Sequence, residues 1–129
     1  MVDASAMMQV ANVLEARKGV AKFVVLSAMG GATDALLRAG ELAKHGDPAW
    51  HTLVADLRTR HLEACDALIQ GDDRRIVCDE IEHGFGHIRS VCEGLQLLHE
   101  FSAHTRDALV SMGERLSVPL MHALLRQRE

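Results

Sequence analysis

The 129-residue sequence has no tyrosine, one tryptophan and three phenylalanines, so aromatic side chains make up only 3% of it. Proteins that hold single-stranded nucleic acid stack bases on aromatic platforms and follow the backbone with a track of cations. Here the aromatics are too few, Lys and Arg form no stripe, and the formal net charge is −4. These features argue against a nucleic-acid partner. Long apolar runs are missing as well: nothing approaches the roughly 18 apolar residues that cross a bilayer, and no basic segment leads into an apolar signal core at the start. The expectation is a cytoplasmic protein with no membrane partner. Cysteine is scarce and odd in number, with Cys65, Cys78 and Cys92 widely spaced at positions that read as helix interior. That pattern indicates neither a disulfide framework nor a CxxC metal clip, and predicts small buried thiols in a reducing compartment.

What is present is ordinary for a globular domain, with 48% hydrophobic and 25% charged residues and no repeat, low-complexity tract or linker. The periodicity predicts a mainly α unit of four to five helices. Asp3 or Ser5 can cap a first helix that places Ala6, Val10, Val13 and Leu14 inward and ends near Lys18 and Gly19. A second helix runs from Thr33 to His45, with Leu36, Leu37, Ala39, Leu42 and Ala43 inward and Gly46 as its stop. Asp47 and Pro48 start a third, to about Gln70, with Trp50, Leu53, Val54, Leu57, Leu62, Cys65, Leu68 and Ile69 on one face. After Gly71, Asp72 or Asp73 caps a fourth, whose face carries Ile76, Val77, Ile81, Phe85, Ile88, Val91, Cys92 and Leu95. Gly84, Gly86 and Gly94 inside it predict close packing or a bend. A last helical segment starts near Ser102, and Pro119 is expected to kink or restart it.

One stretch departs from helix. In KFVVLSAMGGATDALL, Lys22 to Leu37, the run Val24, Val25 and Leu26 reads as a strand over about 22–28, at most the only one in the chain. Ser27, Ala28, Gly30 and Gly31 let the backbone turn and a ligand approach. Thr33 falls where an N-cap is expected, with Asp34 in the first turn. Such strand-turn-helix units gather polar ligands at free helix N–H groups, although a plain connection has the same pattern. A lone strand leaves two edges unpaired, so the chain is expected to be a piece of a larger α/β domain, to pair with another copy, or to fold differently in isolation.

Two segments, VVLSAMGGATDALL (Val24 to Leu37) and RDALVSMGERLSVPLM (Arg106 to Met121), resemble aspartate kinase, the ATP-dependent enzyme that phosphorylates the side-chain carboxylate of aspartate. DEIEHGFGHIRSVCEGLQLL, Asp79 to Leu98, is similar to the helical insertion that the family carries between them, so the resemblance covers nearly the whole chain. It implies a parent with the amino-acid kinase fold, an α/β sandwich, of which residues 1–129 are one partial domain and about 47–101 the helical insertion. It also implies that Met1 to Ser5 follow directly on the family's Lys-Phe-Gly-Gly-Thr-Ser motif. The phosphate-holding lysine would then lie outside the chain, which as a fragment is expected to be inactive and to bind neither ATP nor Mg²⁺. Both would serve the intact parent. The family pattern puts Thr33 and Glu114 at the L-aspartate site, with Ser27 close by; Ser117 belongs to the same matched motif and is given only a packing role. No catalytic residue of this chain is implied, and its nucleotide-binding residues are left unassigned; the parent's partners would be L-aspartate, ATP and further copies of itself in a homo-oligomer.

Read without the family, Glu114 is a solvated helix carboxylate with Arg115 and Arg106 as ordinary partners. His83 and His87 stand four apart on one helix face, a spacing that can ligate zinc, but no third ligand accompanies them. No metal site is assigned, and the other histidines are expected to be exposed or capping. The competing function is a non-catalytic helical interaction module that uses an apolar helix face as a partner surface.

Overall fold

The computed structural model describes residues 4–16 and 28–128. All regular structure among them is helical: α1 (Ala4–Glu15), α2 (Ala32–Lys44), α3 (Ala49–Leu68), α4 (Asp72–Leu98) and α5 (Ala103–Gln127). The mainly α expectation holds. The expected strand over 22–28 lies, apart from Ala28, outside the described residues.

Local chemistry sets the helix ends. α2 stops in a paired turn where Gly46, at φ +72°, donates to the Ala43 carbonyl and Asp47 donates to that of Leu42, both at 2.9 Å. Glycine suits that left-handed position because a Cβ would strain it. The Asp47 carboxylate then accepts the Ala49 N–H at 3.0 Å as α3 begins. Asp72 and Asp73 occupy the first turn of α4, where negative charge offsets the helix dipole; its cap is Gly71 rather than either aspartate. Ser102 caps α5, its hydroxyl accepting from Thr105 N at 3.2 Å. α5 continues through Pro119 without restarting, although proline offers no N–H to the Arg115 carbonyl one turn back.

Burial holds these helices together. Trp50, Leu57, Ile81, Phe85, Ile88, Leu36, Leu109 and Leu120 are fully or almost fully buried. α3 and α4 form an antiparallel hairpin, and α2 packs on both of them and on α5. Polar pins cross the hairpin: the Trp50 indole donates to Gln96 Oε1 at 2.9 Å, and Arg58 grips the Glu82 carboxylate with two N–H groups, Nε at 2.8 Å from Oε2. Near the other end of the molecule Gln127 exchanges two hydrogen bonds with the Gln70 backbone.

Some expected inward faces rotate. α1 buries Met7 and Ala11 against α3 and α5 and leaves Val13 59% exposed. Ile76 is likewise out, 52% exposed, while Val77 one position on is buried. Of the three α4 glycines only Gly84 marks a close approach: a Cβ there would stand 2.8 Å from Leu116 Cδ2, whereas Gly86 and Gly94 face open space.

Candidate functional site

The glycine turn before α2 is built as an anchored platform. Met29 is buried, the Ala32 N–H returns to the Met29 carbonyl at 2.9 Å, and the Arg60 guanidinium from α3 donates to the Gly30 carbonyl. Gly31, at φ +79°, is the N-cap of α2, and no side chain caps that end. Thr33 is therefore not the cap, contrary to the sequence expectation. The helix opens earlier because glycine alone enters the left-handed conformation cheaply, which places Thr33 half-buried inside the first turn beside Asp34. First-turn N–H groups with no side-chain cap leave the positive end of the helix dipole available to an anion.

The second segment meets the first through a missing side chain. Gly113 of α5 faces Leu36 of α2 so closely that a Cβ would lie 2.6 Å from Leu36 Cδ1. Thr33 stands three positions before Leu36 and Glu114 directly follows Gly113, so each belongs to a helical turn that takes part in this α2–α5 contact. Glu114 is exposed. Its carboxylate has no hydrogen-bond or ion-pair partner among the described residues. Arg106, one of the partners expected for it, instead pairs with Glu41 and lies 4.4 Å from the centre of the Phe101 ring. Arg115 faces another cavity. Ser117 is fully buried and donates its hydroxyl proton to the Glu114 carbonyl at 3.0 Å, in keeping with a packing role. Ser27 lies outside the described residues.

That other cavity, about 580 Å³ between α4 and α5, is lined by Asp79, His83, His87, Arg115 and an apolar floor including Met112 and Leu116. His83 Nε2 and His87 Nε2 stand 3.1 Å apart, a hydrogen bond in which one ring donates to the bare nitrogen of the other. Among the described residues no group of three or more His, Cys, Asp or Glu is placed to hold a metal ion. No described helix is long and apolar enough to cross a membrane.

Two features escaped the sequence. His61 is completely buried rather than exposed or capping. Its Nδ1 faces the Leu57 carbonyl at 2.8 Å, and because a carbonyl only accepts, Nδ1 carries the proton. Nε2 is buried with no partner. Burial, above all, holds the imidazole pKa below 6.5, with the Arg60 charge adding and the Leu57 bond opposing. The second is Cys65 and Cys78, thirteen residues apart yet with sulfurs 3.2 Å from each other. The i, i+4 step that puts His61 with Leu57 and Cys65 on α3's inner face was the available signal for the histidine; pairing the thiols required knowing the hairpin.

Among the described residues the geometry defines a helical unit in which Gly113, next to Glu114, meets Leu36, three positions after Thr33. No protein-family model matches the chain. Among known proteins it is similar to aspartokinase 2, chloroplastic, of Arabidopsis thaliana, with 30% identity over 126 residues, 95% of this chain and 22% of the relative. It is also similar to the aspartokinases of Schizosaccharomyces pombe (32% over 103 residues, 76% and 19%) and Candida albicans (25% over 96 residues, 74% and 18%). The chain thus spans about a fifth of the length of these relatives. Its relationship is to part of an aspartokinase.

Proposed function

We propose that this chain is the helical part of an aspartate kinase, in which Thr33 and Glu114 hold opposite ends of L-aspartate. The reading rests on one observation, the α2–α5 contact at Leu36 and Gly113. A threonine hydroxyl hydrogen-bonds a carboxylate, and a glutamate that no described cation engages pairs with an α-ammonium group. Together they would fix which carboxylate of the amino acid is presented for phosphorylation. Phosphoryl transfer asks little covalent chemistry of a protein, so positioning of this kind carries much of the rate. ATP and Mg²⁺ belong to the proposal for the intact enzyme only. The described residues include no donor cluster suited to a metal ion, and no step is assigned to them through one. By itself the chain is proposed to be inactive. A cytoplasmic setting and a homo-oligomeric parent complete the reading. Self-association is favoured by Leu97 and Leu98, 80% and 72% exposed at the end of α4, a feature that a non-catalytic interaction module would also use.

The test is a chimera in which these 129 residues replace the matching segment of the Arabidopsis relative. Aspartate-dependent ATP consumption is expected. Glu114→Ala should raise KM for aspartate roughly 10- to 100-fold, the cost of losing a hydrogen bond to a charged group, with KM for ATP unchanged; Thr33→Ala should raise it less. A chimera that consumes no ATP with aspartate, beside an active parent, removes the kinase reading. An active chimera indifferent to both substitutions removes the two residues from the site.

A further inference from the structure

Cys65 lies in the last turns of α3, fully buried, and Cys78 in the second turn of α4, half-buried, on either side of the tight connection at residues 69–71. Their sulfurs are 3.2 Å apart, with the Cys78 thiol directed at Cys65 and the Cys65 thiol directed at the Arg74 carbonyl at 3.6 Å. A disulfide needs the sulfurs at about 2.0 Å, so side-chain movement of little more than 1 Å closes the gap. Cys78 also lines a concavity of about 750 Å³ open at the surface beside Asp66, Arg74 and Arg75, whereas Cys65 does not. Access and proximity are thus divided between the two thiols. Cys92 stands fourteen residues further along α4, roughly 21 Å by helix rise, and is out of reach of both.

We propose that Cys65 and Cys78 form a dithiol–disulfide site that takes a small-molecule disulfide of the glutathione type as oxidant, with Cys78 attacking first and Cys65 resolving. The Cys78 thiolate attacks one sulfur of glutathione disulfide; a Cys78–glutathione bond forms, the original S–S bond breaks, and the departing glutathione takes up a proton. The Cys65 sulfur then attacks Cys78 Sγ, passing its own proton to the second departing glutathione. The protein has lost two electrons and two protons, and the glutathione disulfide has gained both. The order follows from access, and the chemistry of Cys65 agrees with it: burial first, then the hydrogen bond and charge of Cys78, push the Cys65 thiol up to about 12. A thiol so rarely ionised is a poor first nucleophile. Once Cys78 is capped by glutathione, both of its own contributions to that elevation are gone. The site is independent of the aspartate kinase reading.

Native chain is exposed to glutathione disulfide at pH 8, quenched with acid, unfolded and alkylated. Free thiols should fall from three to one, the mass should drop by two hydrogen atoms, and a digest should contain a peptide joining Cys65 to Cys78. In Cys92→Ser the count should fall from two to none. Cys65→Ser should stop with one glutathione on Cys78, and Cys78→Ser should take up none in the same time. The joined chain should melt higher by roughly 10 °C, since the link closes a short loop of the unfolded chain. Three alkylatable thiols after treatment, a wild-type product that stays glutathionylated at Cys78, or a link involving Cys92 or a second chain would each overturn the proposal.

Discussion

Among Leu57, Cys65 and Phe85 the neutral form of His61 is favoured. Its Nδ1–H is spent on the Leu57 carbonyl and the Phe85 ring meets it edge-on, with centroids 5.4 Å apart, so a proton added at Nε2 would have no acceptor. The sign of the consequence is fixed. With the folded pKa below 6.5, the unfolded chain binds the extra proton first as pH falls, and stability drops below about pH 6.5 until the folded ring itself protonates. The slope is at most about 1.4 kcal/mol per pH unit. His61→Leu keeps an apolar side chain of similar bulk and has nothing to titrate. In urea titrations we expect it to lie within about 1 kcal/mol of wild type at pH 7.5 and to gain on wild type as the pH is lowered from 7.5 to 5.5, by at most about 1.4 kcal/mol. Parallel pH profiles for the two proteins would refute this. Composition counts histidine as polar, and only the register of His61 on α3, four residues from Leu57 and from Cys65, signals its burial.

Helix packing turns on which glycines meet a neighbour. Gly40 of α2 receives the edge of Phe101, whose ring atoms would stand 2.4 to 3.1 Å from a Cβ. That ring has little freedom to retreat, being buried, with Arg106 over it and Arg106 in turn paired with Glu41. Gly86 of α4 faces open space. Gly40→Ala should cost about 1–3 kcal/mol through overpacking, while Gly86→Ala should gain up to about 1 kcal/mol from helix propensity alone; chemical denaturation of both variants measures the contrast. Equal and favourable effects would mean that α2 can move off Phe101 freely. The number of helices and most of their inner faces were legible, since Val54, Leu57, Ile81, Phe85, Ile88 and Leu120 recur at helical spacing and are buried. Starts were less so. Thr33, Asp72 and Asp73 are good capping types, yet Gly31 and Gly71 take the caps at φ +79° and +67°, because the turn before each helix demands a left-handed residue and that demand outranks a side-chain hydrogen bond.

For the whole molecule the central matter is whether residues 47–101, which resemble a family insertion, behave as a separate body. α3 and α4 do not pack only on each other: α2 lies against both, and α4 and α2 each lie against α5. Gly84 of α4 meets Leu116 of α5, and Gly113 of α5 meets Leu36 of α2, so the contacts close a ring through the core. The meeting of Gly113 with Leu36 is a product of that ring, and no local pattern encodes it. Loss of the hairpin would expose the buried faces of α2 and α5 together, which links all four helices in one cooperative transition. Trp50, the only tryptophan, is fully buried in α3 and hydrogen-bonded to Gln96 of α4, so its fluorescence reports the hairpin. Far-ultraviolet circular dichroism reports all five helices. We expect the two signals to follow one denaturation curve, with coincident midpoints and slopes. A fluorescence transition completed while part of the helical signal persists would show the hairpin melting by itself, and would leave the α2–α5 contact standing without the support argued for it.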